Sequence, residues 1–106
     1  MSGKHVINSK FIEATTELIA DTAIRVFRLN EILSARKLKN LHGLSRGLVR
    51  AQFESRALNG RPAKAKFLAG KIKSASPKIE VLLGTELAKE YLHELLRLKG
   101  IIKHAL

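Results

Sequence analysis

The stretch SKFIEATTELIADTAIRVFRLNEILSARKLK, residues 9–39, decides the fold class of this chain. It contains neither glycine nor proline, and the apolar residues Ile12, Ile19, Val26 and Leu33 recur in it at intervals of seven. Apolar residues at this spacing share one side of an α-helix. The stretch therefore predicts a single long amphipathic helix.

The length of this predicted helix leaves two arrangements open. At about 1.5 Å per residue it would be on the order of 45 Å long, more than a monomer of 106 residues needs. Either the helix breaks near Asn30 or Ser34, or a second copy of the chain covers it in a homodimer. We favour the homodimer, although Thr15, Thr22 and Arg36 occupy companion heptad positions at which coiled coils prefer apolar residues.

Turn-forming residues divide the rest of the chain into shorter segments. We predict turns at residues 41–44, 59–62 and 74–77 and at Gly84, because glycine, proline and serine are concentrated there. Pro62 is placed to serve as the first residue of a helix, where its missing N–H costs nothing. The segments between these turns are predicted to be helical.

The helical segments differ in the arrangement of their apolar residues. Residues 45–58 carry two apolar stripes on nearly opposite sides, which predicts two packing partners for this helix. Leu87, Tyr91, Leu95 and Leu98 form one stripe in the last segment, which suits that helix to lie against the first. No segment alternates apolar and polar residues for more than a few positions, so strands are not expected.

These patterns predict an all-α protein with four or five helices in a small bundle, a long N-terminal helix and a centre similar in layout to a helix-turn-helix. A helix ending near Lys39, a turn at 41–44 and a helix capped by Ser45 make up that layout. We expect residues 1–8 to form a flexible arm and residues 9–106 to form a single helical domain.

The charges are segregated along the sequence. Residues 35–78 hold twelve basic residues and one acid, Glu54, so this segment carries the whole net charge of +11. Residues 1–34 and 79–106 each balance their basic residues against an equal number of acids. The isoelectric point, near 10.5, lies above the value of about 9 that marks many nucleic-acid-binding domains. The basic segment therefore predicts a polyanionic partner.

We expect this partner to be a double-stranded nucleic acid, with DNA favoured over RNA, and the protein to act as a small regulator or architectural factor. Arginine has a planar head that suits base edges or bidentate phosphate contacts, whereas lysine is a point charge that suits phosphate. The candidate binding residues are Arg36, Lys37, Lys39, Arg46, Arg50, Arg56, Arg61, Lys64, Lys66, Lys71 and Lys73.

Three modes of action remain open from the sequence. Arg46 and Arg50 can read bases from a helix-turn-helix, or long basic helices can lie along the duplex backbone without reading sequence. The third alternative is an adaptor or inhibitor whose basic face docks on an acidic protein.

Other functional classes find little support. The chain has no cysteine, and no two of its four histidines are three or four residues apart, the spacing at which two histidines of one helix can bind the same metal ion, so we expect no metal site. Residues 34–37 match the serine-x-x-lysine pattern of penicillin-recognising enzymes, but its companion motifs are missing. We therefore expect no enzymatic activity, cofactor or small-molecule substrate. Because no apolar run approaches about 20 residues, we also expect no membrane partner and a cytoplasmic location.

Overall fold

The computed structural model describes residues 9–55 and 58–105, and it confirms the predicted all-α fold. No strand occurs in these two ranges. The helices are α1 (Ser9–Val26), α2 (Leu29–Ile32), α3 (Ala35–Ser55), α4 (Arg61–Leu83) and α5 (Thr85–Ala105). The predicted N-terminal arm, residues 1–8, lies outside the described residues.

The helix predicted over residues 9–39 is not continuous but breaks in two places, as in the alternative that placed a break near Asn30 or Ser34. The first break is at Arg28, whose backbone is left-handed with φ 55° and ψ 34°. The Arg28 guanidinium lies 3.1 Å and 3.3 Å from the two carboxylate oxygens of Glu31, in an exposed ion pair beside this turn. The break allows Leu29 to be fully buried in the core. A second break at Ser34 agrees with one of the two positions expected for it.

The turn predicted at residues 41–44 does not form. Helix α3 is continuous through Gly43 and Gly47, and Ser45, predicted as a cap, is buried in the middle of the helix. The physical reason is burial: Leu41 and Val49 are fully buried on the inner side of α3, and each such side chain contributes about 1.5–3 kcal/mol, more than the roughly 1 kcal/mol that a helical glycine costs. The helix-turn-helix layout is therefore wrong.

Helix α4 is likewise continuous where a break was predicted at residues 74–77. Ala75 and Ile79, on either side of Pro77, are both buried, while Pro77 itself is exposed. Burial of the neighbours on the inner side keeps the chain helical, and the missing proline N–H is confined to the solvent side. The other turns are confirmed: Gly60 and Gly84 take positive φ values of 84° and 87°. Pro62 lies in the first turn of α4, as predicted.

The core lies where α5 contacts α1, α3 and α4. Tyr91 and Leu95 of α5 are fully buried, which confirms the predicted stripe, and the ring of Tyr91 lies 6.0 Å from that of Phe27. Helix α3 lies between α1 and α4, since it contacts both. This confirms the prediction that α3 has more than one packing partner. The side of α3 that faces away from its neighbours is exposed to solvent.

No helix of the described ranges has both the length and the apolar character that crossing a membrane requires.

The two glycines inside α3 provide a test of the continuous helix. A Cβ added at Gly43 or Gly47 would meet no atom within 4 Å. We therefore expect Gly43→Ala and Gly47→Ala each to raise the free energy of unfolding by about 0.5–1 kcal/mol, because alanine loses less backbone entropy in a helix. Urea denaturation followed by circular dichroism measures this change.

The matched control for these variants is Gly60→Ala. Gly60 has φ 84°, where an L-residue is strained, so this variant is expected to lower the free energy of unfolding by about 1 kcal/mol or more. If alanine at position 43 or 47 destabilised the protein instead, α3 would not be continuous.

Candidate nucleic-acid interface

Side chains of α1 and α3 form a ladder of two ion pairs and one hydrogen-bonded pair in antiparallel register. On each helix the members are four residues apart and therefore share one face. The pairs are Arg50–Glu13 at 2.7 Å, Arg46–Glu17 at 3.6 Å and His42–Asp21 at 3.1 Å. The imidazole Nε2 of His42 also lies 3.6 Å from Glu17. We call these six residues the α1–α3 ladder.

The ladder fixes the direction of the Arg46 and Arg50 side chains more than it stabilises the fold. The side chains of Arg46 and Arg50 are 39 % exposed and those of their partner glutamates 52 % exposed, and exposed ion pairs contribute only about 0.2–1 kcal/mol each. Their guanidinium groups nevertheless point towards α1 and its carboxylates. A phosphate approaching either arginine would have to share it with Glu13 or Glu17.

The other basic residues of α3 and α4 are arranged differently. Within the described ranges none of them has an acidic side chain within ion-pair distance. They are Arg36, Lys37 and Lys39 at the start of α3, and Arg61, Lys64, Lys66, Lys71, Lys73 and Lys78 on α4. We call this set the unpaired basic residues. Arg56, also predicted to bind, lies outside the described residues.

The lysines of α4 form two rows along the helix. Lys66 and Lys73 are exposed and seven residues apart, so they lie two turns from each other on the side away from the core. Lys64, Lys71 and Lys78 have the same spacing and form a second row, of which Lys71 and Lys78 line a cavity shared with α3. Lys71 also places its ammonium 5.3 Å from the centre of the Phe67 ring, a cation–π contact.

A groove runs between α3 and α4 beside the second row. It consists of two adjoining cavities, of about 660 Å³ and 220 Å³, which share Gly43, Leu44 and Lys78. Its remaining apolar lining includes Leu48, Ala75, Val81 and Leu82, and its basic lining is Lys39, Arg46, Lys71 and Lys78. No carboxylate lines either cavity. We call this feature the α3–α4 groove.

Charges outside the basic segment are partly neutralised in local pairs. On α5 the Arg97 guanidinium hydrogen-bonds Glu94, which lowers the pKa of that carboxyl and raises the pKa of the guanidinium. The Arg28–Glu31 ion pair neutralises charge in the same way at the start of α2. Positive charge without an acidic neighbour is therefore concentrated on α4 and the start of α3. Such side chains can bind phosphate groups, because no carboxylate of the described residues lies within ion-pair distance to compete with the phosphate.

Neither the ladder nor the groove was predicted from the sequence. The signal for the ladder was present, since Glu13, Glu17 and Asp21 have the same four-residue spacing as His42, Arg46 and Arg50. Pairing them requires knowing that α1 and α3 are antiparallel neighbours. The groove was missed because a turn was predicted at residues 41–44, which would have separated the residues of α3 that line it.

The described residues do not bring metal-ligating side chains together at one site. Nowhere in residues 9–55 and 58–105 do three histidine, cysteine, aspartate or glutamate side chains come together as a metal site would need. No protein-family model, curated protein or solved structure matches this chain.

Proposed function

We propose that this protein binds the phosphate backbone of double-stranded nucleic acid through α4 and the start of α3, as a small regulator or architectural factor. One observation carries the proposal. The basic side chains of α4 and of the start of α3 have no acidic partner in the described part of the chain, whereas Arg46 and Arg50 each have one. Phosphate contacts of this kind supply most of the affinity in sequence-independent binding.

The dimensions of α4 suit a duplex backbone. From Arg61 to Lys78 the helix rises about 26 Å, somewhat less than one turn of a duplex, about 34 Å. Lysine provides point charges without directional demands, so the two rows can follow the backbone without reading bases. Because Arg46 and Arg50 lie in the ladder and the helix-turn-helix is absent, backbone reading is favoured over base reading. Duplex DNA is the expected form and duplex RNA the alternative.

The homodimer stays a prediction. Ile19, one of the residues expected at its interface, is fully buried within the chain, whereas Val26 is 53 % exposed and Leu18 58 % exposed on the same helix. A second copy could therefore cover only the outer side of α1. The mass in solution, measured by analytical ultracentrifugation, decides between monomer and dimer.

The proposal is tested by removing two charges from the outer row of α4. We expect Lys66→Gln/Lys73→Gln to weaken binding to random-sequence duplex DNA about tenfold or more at low salt. The slope of log affinity against log salt should become shallower by about 0.9 for each phosphate that the variant no longer neutralises. Fluorescence anisotropy with labelled duplexes at several salt concentrations measures both quantities.

The matched control is Arg25→Gln/Lys89→Gln. Both residues are exposed and lie in the neutral flanks, so this variant has the same net charge as the first. We expect it to bind duplex almost as well as the wild type. Equal losses in the two variants would show that net charge alone acts, and no wild-type binding to DNA or RNA at low salt would refute the proposal.

A further inference from the structure

The α3–α4 groove has a composition that phosphate binding does not require. Its basic side chains lie around an apolar surface that includes Leu44, Leu48 and Leu82. Val81, at one end of the groove, is 83 % exposed. A duplex backbone presents phosphates and sugars and would leave these apolar groups without a matching surface. A ligand that matches the groove needs both an apolar stripe and negative charge.

A helix is the occupant whose form fits this surface. An amphipathic helix binds in a groove by inserting apolar residues spaced three and four apart, and its polar side remains in solvent. Gly43 and Gly47, one turn apart beside the groove, have open space where a Cβ would be. With no side chain there, a partner backbone can come close to α3, as at other helix contacts built on small residues.

The charges of the groove decide which helix can enter. Lys39, Lys71 and Lys78 have no acidic partner among the described residues, whereas Arg46 is paired with Glu17, so complementarity to the three lysines requires carboxylates beside the apolar stripe of the ligand. Residues 1–8 of this chain contain Lys4 and His5 but no acid, so they do not complement the groove.

A second copy of the chain is a poor occupant as well. Packing one α3 against another across this groove would bring like charges together, because the same basic residues line both grooves. The apolar stripe of α5 is used in the protein's own core, where Tyr91 and Leu95 are fully buried. A different protein must therefore supply the acidic amphipathic helix.

We propose that the α3–α4 groove binds an amphipathic helix of a partner protein. The apolar side chains of that helix contact Leu44, Leu48 and Leu82, and its flanking carboxylates pair with Lys39, Lys71 and Lys78. The inference goes beyond nucleic-acid binding and does not rest on it. The protein would then join a duplex on the outer side of α4 to an acidic partner in the groove.

The experiment selects ligands for the whole protein from a display library of helical peptides about 15 residues long. We expect the enriched peptides to combine an apolar stripe at i, i+3, i+4 and i+7 with glutamate or aspartate on both flanks. A synthetic peptide of the enriched sequence then serves as the probe, and its affinity is measured by fluorescence anisotropy against each variant.

Gly47→Leu is the diagnostic variant, and Gly70→Leu is its matched control. Both glycines are exposed and helical with open space around the position of a Cβ, but only Gly47 lines the groove. We expect Gly47→Leu to weaken peptide binding about tenfold or more, and Gly70→Leu to leave it unchanged. Val81→Glu, at an exposed position, is expected to weaken it similarly through repulsion. Duplex affinity should stay close to that of the wild type in Gly47→Leu.

The other results would overturn the inference. Failure to enrich any peptide, enrichment of peptides without acidic flanks, or equal effects of the two glycine variants would each refute helix docking. If Gly47→Leu weakened duplex binding as strongly as peptide binding, the groove would be part of the nucleic-acid surface instead. The proposed function fails separately, through the Lys66/Lys73 variant, so the two failures are distinguishable.

Discussion

Replacing Tyr91 with alanine is expected to lower the free energy of unfolding by about 3–5 kcal/mol, the usual range for removing a large aromatic ring from a core. Tyr91 is the largest fully buried side chain among the described residues, and its ring packs against Phe27. It lies on α5 where this helix meets α1 and α3, so the cavity would open at the centre of the bundle. Urea denaturation followed by circular dichroism measures the loss.

Two milder variants separate the ring of Tyr91 from its hydroxyl. The Ser45 hydroxyl donates to the carbonyl oxygen of Leu41 at 2.7 Å, so the Tyr91 hydroxyl donates to Ser45 Oγ at 2.6 Å. Tyr91→Phe leaves Ser45 still bonded and should cost only about 1 kcal/mol. Ser45→Ala leaves the Tyr91 hydroxyl buried without an acceptor and should cost about 1–3 kcal/mol. If Tyr91→Phe cost as much as Tyr91→Ala, the hydroxyl and not the ring would hold the core.

Raising the pH through the alkaline range is expected to destabilise the protein by about 3 kcal/mol through Tyr91 alone, at about 1.4 kcal/mol per unit of pKa difference. Burial raises the pKa of Tyr91 from 10.0 to about 12, because the charged phenolate would be held away from water. Between these two values the unfolded chain releases the proton and the folded protein retains it. The contribution is therefore complete below pH 10 and is lost as the pH rises towards 12.

The alkaline effect can be followed without interference from other aromatic side chains. Tyr91 is the single tyrosine of the chain, which has no tryptophan, so tyrosinate absorbance reports this residue alone. The control is Tyr91→Phe, because it keeps every other side chain of the wild type and lacks only the tyrosine hydroxyl. We expect stability to fall more steeply with pH in the wild type. A tyrosinate signal that appears near pH 10 in the folded protein would show that the hydroxyl is accessible to water.

The proposed duplex surface and the proposed helix groove make different demands on the same two helices. Lys66 and Lys73 lie on the outer side of α4, whereas Gly47 and Val81 line the groove. Lys71 and Lys78 are shared by both. If both ligands bind, we expect them to compete partly, since the shared ammonium groups cannot neutralise a phosphate and a carboxylate at full strength together.

The fold class and several boundaries could be read from local patterns. Gly60 and Gly84 end their segments because glycine accepts a positive φ that other residues avoid. Pro62 lies in the first turn of α4 because its ring favours helical φ and its missing N–H costs nothing there. The stripe containing Tyr91 and Leu95 predicted the buried side of α5. These properties depend on neighbours in sequence, so the sequence contains them.

The wrong predictions have a common physical cause. Gly43, Gly47 and Pro77 disfavour a helix locally, by about 1 kcal/mol for each glycine and about 3 kcal/mol for the proline. In the folded protein these positions face solvent, and the side chains on the inner faces of α3 and α4 gain more free energy by burial than the helices lose. At Arg28 the local sequence favours a continuous helix, and burial interrupts it. Nothing near Arg28 in sequence requires a left-handed residue, but the break at Arg28 allows Leu29 to be buried.

The amino-acid sequence by itself determined that this chain is all-α, where Gly60 and Gly84 interrupt it, and that its positive charge is confined to residues 35–78. Only the tertiary structure decided which of those charges are free. Arg46 and Arg50 meet Glu13 and Glu17 because α1 and α3 pack antiparallel, and the lysines of α4 meet no such partner among the described residues. Which side chains form ion pairs between helices depends on how the helices pack. The spacing of residues along one helix does not show this.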